Sequence, residues 1–149
     1  MKIEDEIKQS KFYNDYHKAY INILFTAAWI NSHNQKYFKK YNISAQQFNI
    51  LRILKGQNGK PATLKLLTER MIDKMSNTSR LVDKLYAKKY VNRKVCVNNR
   101  RQAEITLTDK GFELINDITA QLENEYTNIK TISIQEAKQL SDLLDKLRG

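Results

Sequence analysis

Residues 93–108 read RKVCVNNRRQAEITLT. The apolar residues alternate, stop at Asn98-Asn99-Arg100-Arg101, and alternate again. Val91, Val95 and Val97 share odd parity, as do Ala103, Ile105 and Leu107. In a strand, equal parity means one face. The stretch therefore predicts a β-hairpin with an apolar side packed on the rest of the chain and a polar turn over 98–101. Asparagine tolerates the left-handed backbone that such a turn needs. A hairpin tip cannot pack on its own domain, so two arginines there are either solvated or reaching for something outside.

Charge favours the second reading. The chain carries a formal +10, and residues 60–111 hold thirteen Lys/Arg against five Asp/Glu. That segment alone contributes +8 and the rest of the 149 residues only +2. A basic middle between near-neutral flanks predicts a polyanionic partner for the middle; the plain alternative is a solvated basic surface that aids solubility.

The segment before the hairpin fits such a partner. Thr63 can cap a short helix carrying Leu64, Leu67 and Met71. A second helix is expected from about Lys74 to Lys88, with Met75, Thr78, Val82 and Leu85 inward. Only Ile72 and Asp73 are then left between the two, so the helices must cross, as in a helix-turn-helix. The outer face of the second helix would show Lys74, Ser76, Asn77, Arg80 and Lys84. Short hydrogen-bonding groups with long cations suit a helix in the DNA major groove, where Arg can take guanine in a bidentate contact and Lys holds phosphate. The following hairpin would reach the flanking minor groove, whose negative potential attracts an inserted arginine. Arg101 is the expected insertion, braced by Asn99, with Arg100 on phosphate. The expected DNA-facing set is thus Thr63, Lys65, Lys74, Ser76, Asn77, Thr78, Arg80, Lys84, Asn99, Arg100 and Arg101.

Further out, Phe12, Tyr16, Ala19, Tyr20, Ile23, Ala27 and Ile30 fall at helical spacing. Leu24, Ala28 and Trp29 widen that stripe beyond what one core needs, which predicts a long first helix, to about Lys40, with a second partner. Ser44-Ala-Gln-Gln47 and Ser133-Ile-Gln-Glu136 are capping-box sequences opening two more helices. The first carries Phe48, Leu51 and Leu54 and ends near Gly56. The second is expected to turn Ala137, Leu140, Leu144 and Leu147 inward. Thr108-Asp-Lys-Gly begins a helix with Phe112, Ile115, Ile118, Leu122, Tyr126 and Ile129 on one stripe. The fold class is mostly α with a small β-hairpin wing: one domain over 1–149, with a DNA-binding lobe at 44–111 and helical dimerisation regions at 10–40 and 112–149.

The runs QQFNILRIL, LKLLTERMIDKMSNTSRLVDKLYAKKYVNRKV and NNRRQAEITLTDKG resemble the MarR (multiple antibiotic resistance regulator) family of winged helix-turn-helix transcription factors. The resemblance covers residues from about 44 to 111. It implies an obligate homodimer whose first and last two long helices interlock, and a regulator of transcription, expected to be a repressor. It assigns Arg101 to the minor-groove position. The family's wing usually reads Asp-x-Arg, and here it reads Asn99-Arg100-Arg101, so the brace on the arginine loses its charge assistance. The resemblance also implies a small aromatic ligand in a crevice between dimer layer and DNA-binding lobe, with His33, Tyr37 and Arg52 as its polar candidates.

Other chemistry finds little footing. Cys96 is the one cysteine, so no intramolecular disulfide can form. Its even parity and basic neighbours could lower its pKa, although an inert surface thiol is the expectation. His17 and His33 lie far apart, and no metal cluster, phosphate loop or nucleophile elbow is present. No cofactor, no metal and no catalysis are expected. AYINILFTAAWI (19–30) is too short and too polar to span a bilayer, and the first residues lack an apolar signal core, so a cytoplasmic protein is expected. The competing readings are a winged-helix module that binds protein and a sequence-neutral DNA binder.

Overall fold

A computed structural model describes the backbone of residues 1–96, 99–127 and 131–149, and side chains throughout those ranges except 95, 96 and 99–102. Seven helices and three strands are assigned within them: α1 (Ile3–Glu6), α2 (Asp15–Lys40), α3 (Ala45–Lys55), β1 (Ala62–Thr63), α4 (Leu64–Arg70), α5 (Thr78–Ala87), β2 (Val91–Cys96), β3 (Asn99–Leu107), α6 (Asp109–Thr127) and α7 (Ile134–Arg148). The fold is mostly α, with one antiparallel sheet in the order β1-β3-β2. Two compact units are present, 1–115 and 116–149, and α6 runs through the boundary.

The larger unit is built around α3. Ser44 and Gln47 close the expected capping box, with the Gln47 N–H donating to Ser44 Oγ at 3.2 Å and the Ser44 N–H to Gln47 Oε1 at 3.0 Å. Two of the free N–H groups at the start of α3 are thereby satisfied. Ile50 and Leu51 are fully buried, together with Leu67 of α4, Val82 and Leu85 of α5, Met71, Val91, Ile105 and Ile115. The hairpin registers Val91 on Leu107, Arg93 on Ile105 and Val95 on Ala103. Val91, Ala103 and Ile105 are buried and Leu107 is partly so, as the alternation requires, while Arg93 of the same parity is exposed.

Three features of the sheet differ from expectation. Ala62 and Thr63 form a short third strand, pairing with Ile105 and Glu104. Asn99, Arg100 and Arg101 belong to β3 rather than to a turn. Finally, Cys96 pairs with Asn99 while Val95 pairs with Ala103, so Arg100, Arg101 and Gln102 have no counterpart on β2. Such a bulge bends a strand and re-aims its side chains. The side chains of Cys96, Asn99, Arg100 and Arg101, and the whole of Asn98, lie outside the described residues, so their expected roles are untouched.

α5 ends in a Schellman motif. The Tyr90 N–H donates to the Leu85 carbonyl at 3.0 Å and the Lys89 N–H to the Tyr86 carbonyl at 2.9 Å, with Lys89 at φ 61° where glycine is usual. The chain then turns directly into β2. After β3, the Thr108 hydroxyl donates to the Lys89 carbonyl at 2.8 Å and accepts from the Gly111 N–H at 3.0 Å. The first turn of α6 is thereby seated on the backbone of that same turn.

The long helices bury less than their sequence stripes suggest. α2 starts at Asp15, capped by Asn14, and not at Phe12. On α2 only Phe38 is buried, against Phe48 with ring centroids 5.0 Å apart, while Tyr16, Tyr20, Leu24, Trp29 and Ile30 are exposed. On α6, Leu114, Ile115, Ile118 and Leu122 are buried, but Phe112 and Tyr126, expected on that stripe, are half exposed; Ile129 lies outside the described residues. α7 is opened by the second capping box, whose Glu136 carboxyl is held below the usual carboxylate range by the Ser133 N–H and hydroxyl. It buries no residue: Ala137, Leu140 and Leu147, expected inward, are exposed, and Leu144 is partly so.

Candidate nucleic-acid interface

The two helices of the basic middle are joined by a longer turn than the sequence suggests. α4 ends at Arg70 and α5 begins at Thr78, so seven residues connect them. The expected start at Lys74 is too early. Asn77 is the N-cap, accepting from the Arg80 N–H at 3.0 Å, and Asn is among the best residues at that position. Met75, expected inward, is instead 93% exposed. Met75 matches the helical period but lies in the turn before α5. Thr78, Val82 and Leu85 do point inward.

This turn is anchored at both ends. The Ile72 N–H donates to Oδ1 of Asn49, a buried α3 side chain, at 2.9 Å. The Asp73 carboxylate accepts from the Met75 N–H at 3.1 Å. The Ser76 hydroxyl first, then that N–H, then the side chain of Gln46 hold the Asp73 carboxyl below the usual carboxylate range. Ser76 Oγ approaches without well-formed hydrogen-bond geometry to any partner. A lowered carboxylate pKa favours the folded state above the ordinary Asp range and loses that support as pH falls through the lowered value. Acid therefore loosens this turn.

The expected DNA-facing residues divide into two groups. Arg80 and Lys84 are exposed on α5, and Lys65 is exposed on α4, 4.0 Å from Glu69. Asn77 is exposed; its side-chain oxygen is taken by capping and its amide N–H groups remain as donors. Of the other described residues, Thr63, Ser76 and Thr78 are turned at least partly inward, while Lys74 is exposed with its ammonium bonded to its own chain; the side chains of Asn99, Arg100 and Arg101 lie outside the described residues. Thr63 Oγ1 accepts from the Leu66 N–H at 3.2 Å and caps α4. Lys74 Nζ donates to the Glu69 carbonyl at the end of α4. Thr78 is only 5% exposed, with a buried Oγ1, and Ser76 is half buried. Both hydroxyl oxygens are buried in this arrangement. Sequence reasoning missed Ser79, which is exposed on α5 beside Arg80; a helix starting at Thr78 would have found it.

A second tie links the helix to the wing. Arg93 of β2 meets Asp83 of α5, Nη1 to Oδ1, at 2.6 Å. Both side chains are partly exposed, so the pair adds at most about 1 kcal/mol of stability. Its consequence is geometric: the cationic β2 and the cationic face of α5 are held to one spacing.

The three candidate ligand residues sit in different local surroundings. His33 stacks on Trp29 with centroids 5.7 Å apart, Tyr37 lies under the Lys36 ammonium at 4.8 Å, and Arg52 is exposed on α3. Cavities among the described residues include two lined by other side chains. One of about 150 Å³ lies between α1 and α2, against Ile3, Phe25 and Trp29. One of about 410 Å³ lies between the end of α3 and the start of α6, against Leu54, Lys60, Leu107 and Phe112. Among the described residues no group of three or more His, Cys, Asp or Glu is placed to hold a metal ion. No described helix is long and apolar enough to cross a membrane.

Known proteins share this arrangement. The family model of the MarR family matches residues 43–103, the segment from α3 into the wing. The HTH-type transcriptional regulator PecS of Dickeya dadantii (strain 3937) is 34% identical over 116 residues, covering 75% of this chain and 69% of that protein. A MarR-like transcription regulator from Bacillus cereus ATCC 10987 superposes with a TM-score of 0.77 at 25% identity, over 90% of this chain and 96% of that one. The organohalide-sensing regulator RdhR-CbdbA1625, in its 2,4-dichlorophenol-bound form, superposes at 0.81 with 21% identity, over 91% of this chain and 80% of that one, a likeness of fold. With α4 and α5 joined by an anchored turn, a cationic face on α5 and a short hairpin wing, the chain belongs to the MarR family of DNA-binding transcriptional regulators, which are not enzymes.

Proposed function

We propose that this chain is a homodimeric, cytoplasmic repressor that reads a pseudo-palindromic operator and is released by a small aromatic ligand. The observation that carries the reading is the outer face of α5. Arg80, Lys84 and the Asn77 amide stand exposed on a helix whose opposite side is buried to the last atom at Val82 and Leu85. A helix fixed this firmly presents its polar face at a constant angle, which base reading requires. Two copies related by a two-fold axis would enter major grooves about one turn, roughly 10 bp, apart. Lys65, Lys84 and Arg100 would hold phosphate, and Arg101 would enter the minor groove.

The exposed apolar residues of α2 and α7 support the dimer. The ligand reading rests on the RdhR-CbdbA1625 likeness, whose bound molecule is a chlorinated phenol. In this chain His33, Tyr37 and Arg52 would be the polar contacts of such a ligand, in a crevice between dimer layer and DNA-binding lobe.

Arg80→Ala tests the base-reading role. The expected loss on a cognate duplex is about 1–3 kcal/mol, with discrimination relaxed at one base position. Competition binding against single-base variants of the duplex checks it. An equal loss on every duplex would reassign Arg80 to phosphate.

A further inference from the structure

Two large apolar side chains stand on the basic face with nothing of their own chain over them. Met75 is 93% exposed and Ile72 78%, both in the turn between α4 and α5. Scattered surface hydrophobics are ordinary, so exposure alone carries nothing. Their position does. The backbone beneath them is held by Asn49 of α3 at Ile72 and by the Asp73 carboxylate at Met75, and the turn closes on the Asn77 cap two residues later. Fixed backbone with a free side chain is the arrangement of a contact residue, and it lies against the N-terminal turn of α5, the part of such a helix that meets base edges.

The partner that fits must be anionic and must also offer an apolar group. Lys74 is a neighbour in the same turn, and Arg80 and Lys84 follow on the exposed face of α5. A second copy of this chain would bring those same cations together. Duplex DNA satisfies both needs, because thymine places a C5-methyl group on the major-groove edge amid phosphate charge. Methionine suits that contact: it is unbranched, has three rotatable side-chain bonds and carries a polarizable thioether.

We propose that Met75 is a specificity-determining residue that packs on a thymine C5-methyl group in the major groove, with Ile72 closing its outer side. This rests on the DNA-reading role given to α5 above and adds a base identity to it. Each half-site should then require thymine at one position for the sake of its methyl group alone.

The test replaces thymine by deoxyuridine, which keeps every hydrogen-bonding group and lacks only the methyl. A duplex is first enriched from a random pool by the wild-type protein. Each thymine pair related by the two-fold axis is then changed to deoxyuridine in turn, and binding is measured for wild type and Met75→Gln. Burying one methyl-sized group predicts about a fourfold loss per half-site, and so about fifteenfold for the symmetric pair. Wild type should show that loss at one thymine pair, and Met75→Gln should show none there. If wild type tolerates deoxyuridine everywhere, or Met75→Gln keeps the same sensitivity, the proposal is overturned while base reading by α5 stands. If the pool yields no enriched sequence, base reading itself fails and this inference falls with it.

Discussion

Gly111→Ala is expected to lower stability by about 3 kcal/mol, at the upper end of what overpacking costs. For a chain of this size that is roughly a 10 °C drop in Tm. A Cβ built at Gly111 would lie 2.0 Å from the Tyr90 carbonyl oxygen and 3.0 Å from its carbon. That backbone cannot step aside cheaply. The Tyr90 carbonyl accepts from the Thr108 N–H at 3.2 Å, and Tyr90 is also the last residue of the Schellman turn closing α5. The added methyl therefore pushes the start of α6 off the end of α5, and the wing lies between these two points in sequence. Gly56→Ala is the control: its Cβ would meet only ordinary contacts at 3.5 and 3.6 Å, at a negative φ of −67°. Thermal melting of the two variants side by side checks the difference. Equal melting temperatures would show that the α6 start is not packed as described.

Leu140→Glu combined with Leu147→Glu is expected to leave the fold of the larger unit intact and to abolish the proposed homodimer. Both side chains are exposed on α7, with Leu143 between them at 64%, so neither variant charge is buried within its own chain. In a dimer they would be desolvated without partners, which is strongly unfavourable. The variant should run as a monomer in sedimentation. Because one half-site then binds alone, affinity for the full operator should fall by about 10²-fold or more. A variant that stays dimeric, or that keeps full DNA affinity as a monomer, would refute the assignment of α7 to the dimer layer.

What the sequence disclosed follows the range of the interactions concerned. The capping boxes at Ser44 and Ser133 are contacts three residues long, and both formed as read. The hairpin faces followed from parity and needed only one buried side. The start of α5 was harder. Ser76-Asn77-Thr78-Ser79 offers four successive residues able to cap, and the apolar Met75 fits the helical period as well as the true members do. What decides between them is the Asn49 contact to the Ile72 N–H, twenty-three residues away in sequence. The same distance problem hid β1, two residues whose pairing partners lie more than forty residues downstream. It also hid the Asp83–Arg93 tie. Phe112 and Tyr126 obey the period of α6 yet stay exposed, while Leu114 is buried off that stripe. Periodicity gives a face but not the width of the surface that covers it. The family, by contrast, was legible because its motifs lie in one continuous segment, 43–103.

Sequence-specific DNA reading by the charged surface of the proposed dimer should be measured first by fluorescence anisotropy across a salt series. The probe is the duplex enriched from the random pool, compared with a shuffled duplex of the same composition. Discrimination of about 10³-fold or more is expected, with a log–log salt slope steeper than about −5 from the phosphate contacts of two copies. Equal affinity for both duplexes at every salt concentration would contradict it, leaving only the charge of residues 60–111 at work.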